Sequence, residues 1–265
     1  MMPQWLATKP ALLIAAGGDG TVNVVLNALM HASPENGREQ IAVGAIGLGS
    51  SNDFHKPLAT ARMIDGVPFR LNANAARQHD LGKVTYRDAG GNWRQKFFIV
   101  NASIGVTAAA NWRYNSGERL IEWLQRRSVA AAILWTTLKT ITRYHNIPAT
   151  ISLSGPQAIT TAVTNLGVIK NPHFAGDFCY DTPIAADSGD FGVNLCEQMN
   201  FFERLKILYH LAHHSFCGRA KTWAGRTPRL HFKTAAPVPI ETDGEVVMTD
   251  EAQFEILPQA LRVCQ

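Results

Sequence analysis

The sequence predicts an α/β domain followed by a β-rich second domain, on three observations. A short apolar run, Leu12-Leu13-Ile14-Ala15-Ala16, leads through Gly17-Gly18-Asp19-Gly20-Thr21 into a stretch with helical periodicity. A second apolar run, Ile41 to Ile46, ends in another turn rich in glycine and serine. From Ala75 the texture changes to strand-like pieces separated by turn residues. Uninterrupted apolar runs mark strands buried in a parallel sheet, and a shift of period from two to about 3.6 marks entry into a helix.

Composition bounds the rest. A chain of 265 residues, 46% hydrophobic and 17% charged, is long enough for one large or two modest domains and is globular rather than disordered. The net charge of +4 is too weak to argue for a nucleic-acid partner but suits an anionic nucleotide or an acidic membrane surface. Cys179, Cys196, Cys217 and Cys264 lie far apart, giving neither a zinc knuckle nor a disulfide framework and fitting a reducing cytoplasm. The longest apolar run, Val129 to Trp135, falls far short of the roughly 18 residues that span a bilayer, and no signal-peptide pattern opens the chain. The expectation is a soluble or at most peripheral protein.

Taken in order, the first strand covers Leu12 to Ala16, and the helix after Thr21 places Val22, Val25, Leu26 and Leu29 on one face. The glycines between them sit in a strand-to-helix turn. Free N–H groups and the positive end of the helix dipole, about half a charge, can hold a nucleotide phosphate there. Asp19 adds a carboxylate where a bare phosphate would repel it, which makes sense if Mg²⁺ bridges the two or if the Asp handles a proton. The plainer alternative is a tight turn in which Gly supplies positive φ and Asp caps the helix. The second strand delivers Gly47-Leu48-Gly49-Ser50-Ser51-Asn52-Asp53-Phe54-His55-Lys56, after a loop at Pro34-Glu35-Asn36-Gly37. Neighbouring parallel strands end on the same edge, so the two turns should lie side by side and close one site. Alone, the second turn reads equally well as a helix N-cap.

The second domain opens with His79 to Tyr86, a Gly-Gly-Asn turn at Asp88 to Asn92, and Trp93 to Ala102, a hairpin signal. A helical segment, Ser116 to Tyr144, follows. It sets Leu120, Ile121, Leu124, Ile133, Leu134, Leu138 and Ile141 among Arg119, Arg126, Arg127, Lys139 and Arg143. That spacing favours a helix packed on a sheet with a solvated basic face over a membrane-docking helix. Strands are expected at Ala149 to Leu153, Ala158 to Ile169, Phe191 to Cys196, Arg229 to Lys233 and Pro239 to Thr242, with a helix near Phe201 to His214. His210, His213 and His214 have helical spacing but no carboxylate or Cys evident beside them, so packing or surface exposure is preferred to metal binding. Thr242-Asp243-Gly244-Glu245, between two strand-like runs, reads as a hairpin turn.

Gly17-Gly18-Asp19-Gly20-Thr21 resembles the signature shared by diacylglycerol kinases, sphingosine kinases, NAD kinases and phosphofructokinases. Gly49 to Phe54 is similar to a Gly-Thr-x-Asn-Asp-Phe segment, with Ser50 for Thr, and Asp243-Gly244-Glu245 matches a late Asp-Gly-Glu. Asp80-Leu81-Gly82, Asn101 with Gly105, and Asn171 with Gly176 support the likeness. In this order the motifs resemble the bacterial lipid kinases of the diacylglycerol kinase catalytic family, from about residue 10 to the end.

The resemblance implies an α/β nucleotide-binding domain of the NAD kinase/diacylglycerol kinase type, residues 1–76 and 257–265, and a β-sandwich-like second domain, residues 77–256. It implies a truncated start, since relatives carry a strand–helix–strand region with an Asn-Pro motif ahead of the glycine loop. It also has Phe254 to Val263 returning to the first domain. The implied reaction is transfer of the ATP γ-phosphoryl group to the hydroxyl of a diacylglycerol-like or sphingoid lipid with Mg²⁺. The alternatives are an NAD kinase-like phosphotransferase and an inactive nucleotide- or lipid-binding relative. Gly17, Gly18, Gly20 and Thr21 would contact phosphate, Asp19 the Mg²⁺-nucleotide, and Gly49, Ser50 and Asn52 the nucleotide, with Asp243 the general base oriented by Glu245. The implied partners are a lipid substrate and the inner face of a membrane, with a homodimer allowed and no nucleic acid. Three departures stand out: Val24 for Glu, Lys56 for Arg, which loses the planar fork that grips phosphate bidentately, and Ser188 for an acid. The last weakens the loop that holds a structural Mg²⁺ in relatives, so a metal at Asp187 or Asp190 is in doubt.

Overall fold

The computed structural model describes residues 10–32, 40–56, 62–155 and 158–265; the loop at Pro34 to Gly37 lies outside them. β1 (Leu12–Gly17) passes into α1 (Asp19–Ala32) and returns through β2 (Ala42–Gly47), which pairs with β1 in parallel. The helix starts at Asp19, ahead of Thr21, because the N–H groups of Thr21 and Val22 already bond to Gly18 O. α1 buries Val22, Leu26 and Leu29. β1 is less buried than its apolar run suggests. It pairs only with β2 among the described residues, and Ile14 is 47% exposed.

A 3₁₀ turn at Asp53–His55, β3 (Met63–Ile64) and β4 (Val67–Arg70) lead to the hairpin of β5 (Arg77–Arg87) and β6 (Trp93–Phe98). The strand expected to continue to Ala102 breaks at Ile99–Val100 and resumes as β7 (Asn101–Gly105). Phe97 and Phe98 point to opposite faces of β6, as neighbours on a strand must, and enter two different cores. Phe97 joins Leu26, Leu29 and Val43, whereas Phe98 joins Phe191, Phe232 and Phe254.

A helix that the sequence pattern does not predict, α2 (Val106–Tyr114), comes first, and the segment expected at Ser116 to Tyr144 is two helices, α3 (Arg119–Arg127) and α4 (Val129–Arg143). Ser128 separates the last two. Its backbone is extended, and its side chain accepts from Ala131 N, capping α4. Beyond lie β8 (Ile147–Leu153), β9 (Ala158–Ile169), β10 (His173–Phe174), β11 (Phe178–Cys179) and β12 (Phe191–Glu197). α5 (Phe201–Ala212) starts in a capping box of Asn200 and Glu203. β13 (Thr222–Thr227), β14 (Arg229–Thr242) and β15 (Glu245–Val263) close the chain. The pieces expected at Arg229 to Lys233 and Pro239 to Thr242 are one strand with a register shift between Lys233 and Val238.

The main sheet runs β13-β12-β9-β7-β14-β15-β2-β4-β3. β15 ties its two parts together. It pairs with β14 and β5 along most of its length, and its last residues run parallel to β2, Arg262 opposite Ala42 and Val263 opposite Val43. The β14–β15 turn is two residues, Asp243 and Gly244, both at positive φ, a conformation that Asp-Gly adopts readily. All four cysteines are free. No helix among the described residues is long and apolar enough to cross a membrane, and no cluster of three His, Cys, Asp or Glu among them could hold a metal ion.

Candidate active site

The two glycine-rich turns meet backbone to backbone. A Cβ on Gly49 would lie 2.4 Å from Gly18 Cα, and one on Gly17 would run into the Thr21 side chain, 2.2 Å from Oγ1. Neither Gly17, Gly18, Gly20 nor Gly49 has positive φ, so close approach rather than turn geometry requires glycine at 17, 18 and 49. Asn52 does adopt the left-handed conformation, and its amide is committed to the turn. Gly49 N donates to Oδ1 at 2.9 Å, and Nδ2 donates to Gly47 O at 3.1 Å and Gly49 O at 2.9 Å.

Asp19 ties the turns together. Its Oδ2 accepts from Asp53 N at 3.0 Å and its Oδ1 from Phe54 N at 2.8 Å, capping the 3₁₀ turn of the second loop. Burial raises its pKa, with the Asp53 charge adding to the rise and the Phe54 and Asp53 N–H bonds opposing it. Lys56 bonds to Asp53 Oδ1 at 2.9 Å and to the Gly176 carbonyl, so its ammonium is engaged within the fold. Asn171 Nδ2 braces the same turn through Asp53 O and Lys56 O, both at 2.8 Å.

Asp243 arrives from the hairpin at the end of β14. Its Oδ1 accepts from Val100 N at 3.0 Å and Asn101 N at 2.9 Å, and its Oδ2 from Ile99 N at 2.8 Å and Asn23 Nδ2 at 3.1 Å. Three successive N–H groups converging on one carboxylate explain why the strand breaks at Ile99–Val100. A carboxylate offers about four lone-pair directions, and here all are filled. Burial nevertheless pushes its pKa up to about 6. Glu241, two residues back and still within β14, lies opposite Ser103. It accepts from Ser103 Oγ at 2.8 Å and from Gly244 N, leaving two lone-pair directions open. Burial, with the Asp243 and Asp53 charges adding, pushes its pKa up to about 7.

Glu245 does not orient Asp243. It pairs across the turn with Thr242, whose side chain lies on the face opposite to Glu241, and it is exposed with Lys96 at 3.7 Å. A two-residue turn dictates this placement, because partners in an antiparallel ladder share a face.

A cavity of about 400 Å³ opens between these parts. Gly18, Asp19, Gly20, Gly49, Ser50, Ser51 and Asp53 form one end, with Glu241, Asp243 and Asn101 beside them. The other end is mostly apolar: Val106, Ala110 and Tyr114 of α2, Ile133, Thr136, Thr137 and Ile141 of α4, and Phe174 and Phe178. Of the residues expected at the site, Gly17, Thr21, Asn52 and Glu245 are not part of this lining. Asp53 and Glu241 are, although sequence reasoning gave them no role; the Glu-x-Asp alternation at a strand end was the available signal for Glu241. Asp19, Asp53, Glu241 and Asp243 all face this cavity, and oxygen donors of that kind suit Mg²⁺, which takes one or two carboxylates together with substrate phosphates.

The acidic loop near Asp187 is built differently. Lys170 Nζ donates to Asp80 Oδ2 at 2.9 Å, Ala185 O at 3.0 Å, Asp190 O at 3.0 Å and Ser188 Oγ at 3.3 Å. An ammonium fills the centre of this loop, and the Asp190 carboxylate turns outward to Arg226. Of the three histidines near the end of α5, His210 contacts Ser215 and His213 contacts Tyr209, while the His214 ring meets that of His173 edge-on with centroids 6.1 Å apart.

Residues 2–84 match the family model of the diacylglycerol kinase catalytic domain. No curated protein matches the chain in sequence. Among solved structures the chain is similar to a protein from Bacillus anthracis str. Sterne described as a candidate diacylglycerol kinase. The TM-score is 0.70 at 18% identity, covering 98% of this chain and 80% of that one. A second structure so described from the same organism gives 0.69 at 16% identity with the same coverage, and a third, called a diacylglycerol kinase, gives 0.62 at 16% over 98% and 78%. At such identity the likeness is one of fold. The first third of the chain, with both glycine-rich turns and Asp19, thus matches the model of the diacylglycerol kinase catalytic domain, a kinase-type phosphotransferase module, and the chain shares its fold with those proteins.

Proposed function

We propose that the chain transfers the γ-phosphoryl group of ATP to the hydroxyl of a lipid, diacylglycerol-like or sphingoid. One observation carries this reading: the cavity that begins at the glycine turns and the carboxylates continues between α2, α4 and the β10–β11 loop along an apolar wall of Val106, Ala110, Ile133, Ile141, Phe174 and Phe178. An acyl chain suits that wall, whereas the ribose of a nicotinamide nucleotide would gain little from it.

The backbone at Gly18, Gly20, Gly49 and Ser50 would hold phosphates, and Asp19 and Asp53 would hold Mg²⁺ together with phosphate oxygens. The metal would supply neutralisation of the charge on the transferring group. The lipid hydroxyl attacks the γ-phosphorus, its proton passes to a carboxylate, and the bond to the β-phosphate oxygen breaks to release ADP. Glu241 is the better acceptor for that proton, since it has open lone pairs and a pKa near the working pH. Asp243, with every lone pair engaged, positions Ile99–Asn101 and the turn that follows Glu241.

Incubation with γ-labelled ATP and a total lipid extract, with NAD in a parallel reaction, tests the reading. Label in a lipid above the level of Asp19→Asn is expected. Label in the nicotinamide nucleotide instead, or in neither, overturns it.

A further inference from the structure

α2 and α4, which wall the apolar end of the cavity, and α3, which packs on α4, are also apolar on their exposed side. Leu120 and Trp123 on α3, Leu134, Trp135 and Leu138 on α4, and Trp112 on α2 are between 40% and 58% exposed. The spacing of charges in this segment predicts a solvated basic face, and Arg119, Arg126 and Arg127 are exposed as expected; these large apolar side chains are exposed as well. α4 is the sharper case, because its inner face, Ile133, Thr136 and Ile141, lines the cavity while its outer face carries Leu134, Trp135 and Leu138. A helix apolar on both sides calls for a cover on both.

The surrounding charge selects the cover. Arg119, Arg126 and Arg127 are exposed and have no ion-pair partner among the described residues, and Glu122 is the single acid on α3. The Arg127 guanidinium stacks on Trp123, 4.7 Å from the ring centroid, so cation and aromatic form one amphipathic unit. Trp and Leu flanked by unpaired Arg is the composition of a helix lying in the headgroup region of an anionic bilayer. A protein partner would be expected to bring carboxylates to each of these arginines as well as an apolar face; an anionic membrane supplies both at once.

We propose that the outer face of α3 and α4, with Trp112, is the surface by which the chain docks on an anionic lipid bilayer. Docking there sets the apolar end of the cavity about one helix diameter, roughly 10 Å, from the lipid. The inference extends the lipid-acceptor reading and takes its purpose from it, but its test needs neither nucleotide nor turnover.

The test is flotation of the full chain with vesicles of phosphatidylcholine, with and without about one third phosphatidylglycerol, alongside tryptophan emission and sedimentation velocity. The parent should float with the anionic vesicles, with a blue-shifted emission that is weakened by salt. Trp123→Ser combined with Leu134→Ser, and separately Arg126→Glu combined with Arg127→Glu, should each cut binding at least about tenfold while the far-ultraviolet spectrum and melting temperature hold. A parent that stays unbound overturns the proposal, as do variants that float like the parent. So does a parent dimer that the apolar variant splits without altering flotation. A parent that floats as described but labels no lipid leaves this surface standing and removes the lipid kinase reading instead.

Discussion

Asp80 and Asp243 are both almost inaccessible and both held by backbone N–H groups, yet only Asp80 has an ammonium against it. Gly189 N and Gln259 N donate to Asp80 at 2.8 and 2.9 Å, and Lys170 completes the set with side chains 1% exposed on both partners. Burial would raise its pKa, but those bonds and the Lys170 charge together hold it below the ordinary value. Around Asp243 the donors are neutral, and Glu241 adds a second carboxylate, so burial pushes both upward. The first centre is electrostatically closed within the chain. The second faces a cavity and is left to be balanced by a proton or a cation from outside, which is what a phosphoryl-transfer site requires and a structural ion pair does not.

The comparison breaks most visibly at Lys170. Lys170→Met leaves a buried carboxylate without its cation, and loss of one partner of such a pair costs about 3–5 kcal/mol. Urea denaturation should show a loss of that order, partly restored in Lys170→Met combined with Asp80→Asn. A loss under about 1 kcal/mol would mean that the N–H groups alone hold Asp80.

Glu241→Gln should act in the opposite sense, on rate and with no loss of stability. The amide oxygen can still accept one hydrogen bond but takes no proton, so kcat should fall about 10²- to 10⁴-fold while nucleotide affinity stays close to the parent and the melting temperature does not drop. The parent rate should rise through about pH 7. A variant retaining most of its kcat with the same pH profile would remove Glu241 from the proton path.

Asp243→Asn is smaller in free energy and falls on stability first. An amide has one oxygen, so its NH₂ would face N–H donors, leaving at least one of Ile99, Val100 and Asn101 without an acceptor at about 1–3 kcal/mol. Activity should decline with the fraction folded. A fully stable variant with a large kcat loss would return the base role to Asp243.

These centres also show how far the sequence could be read. The β1–turn–α1 unit, the turn at Asp88–Asn92, β9 and the capped start of α5 rest on local periodicity and turn chemistry, and they lie where those signals put them. The break at Ile99–Val100 does not, because its cause is a carboxylate 144 residues further on. Glu241 sat in view beside Asp243, but its environment depends on Ser103 across the sheet. The outward turn of Glu245 was in principle legible, since a two-residue Asp-Gly turn puts Thr242 and Glu245 on one face. Lys170 carried no signal at all, for nothing in a lone lysine after an apolar strand reveals the carbonyls of Ala185 and Asp190 converging on it.

The subtlest consequence is the pH dependence of stability, where the two kinds of buried group oppose each other. Glu241 and Asp243, at about 7 and about 6, bind protons in the native state between pH 4 and 7 that the unfolded chain has released. Their contribution therefore stabilises at the acid end of that window and is lost as pH rises, by at most about 1.4 kcal/mol per pH unit for each group. His55 and His79, held neutral by burial with values of about 4, do the reverse, since the unfolded chain gains their protons first as pH falls below 6.5. The parent curve alone thus mixes two signs and tests neither. The difference between parent and Glu241→Gln isolates the carboxylate, because the histidines cancel. The Gln variant should gain on the parent as pH rises from about 4.5 to 7 and then hold a constant lead. A difference flat with pH would show that Glu241 ionises as freely in the folded chain as in the unfolded one, and the cavity would then be wetter and more cation-rich than the contrast with Asp80 requires.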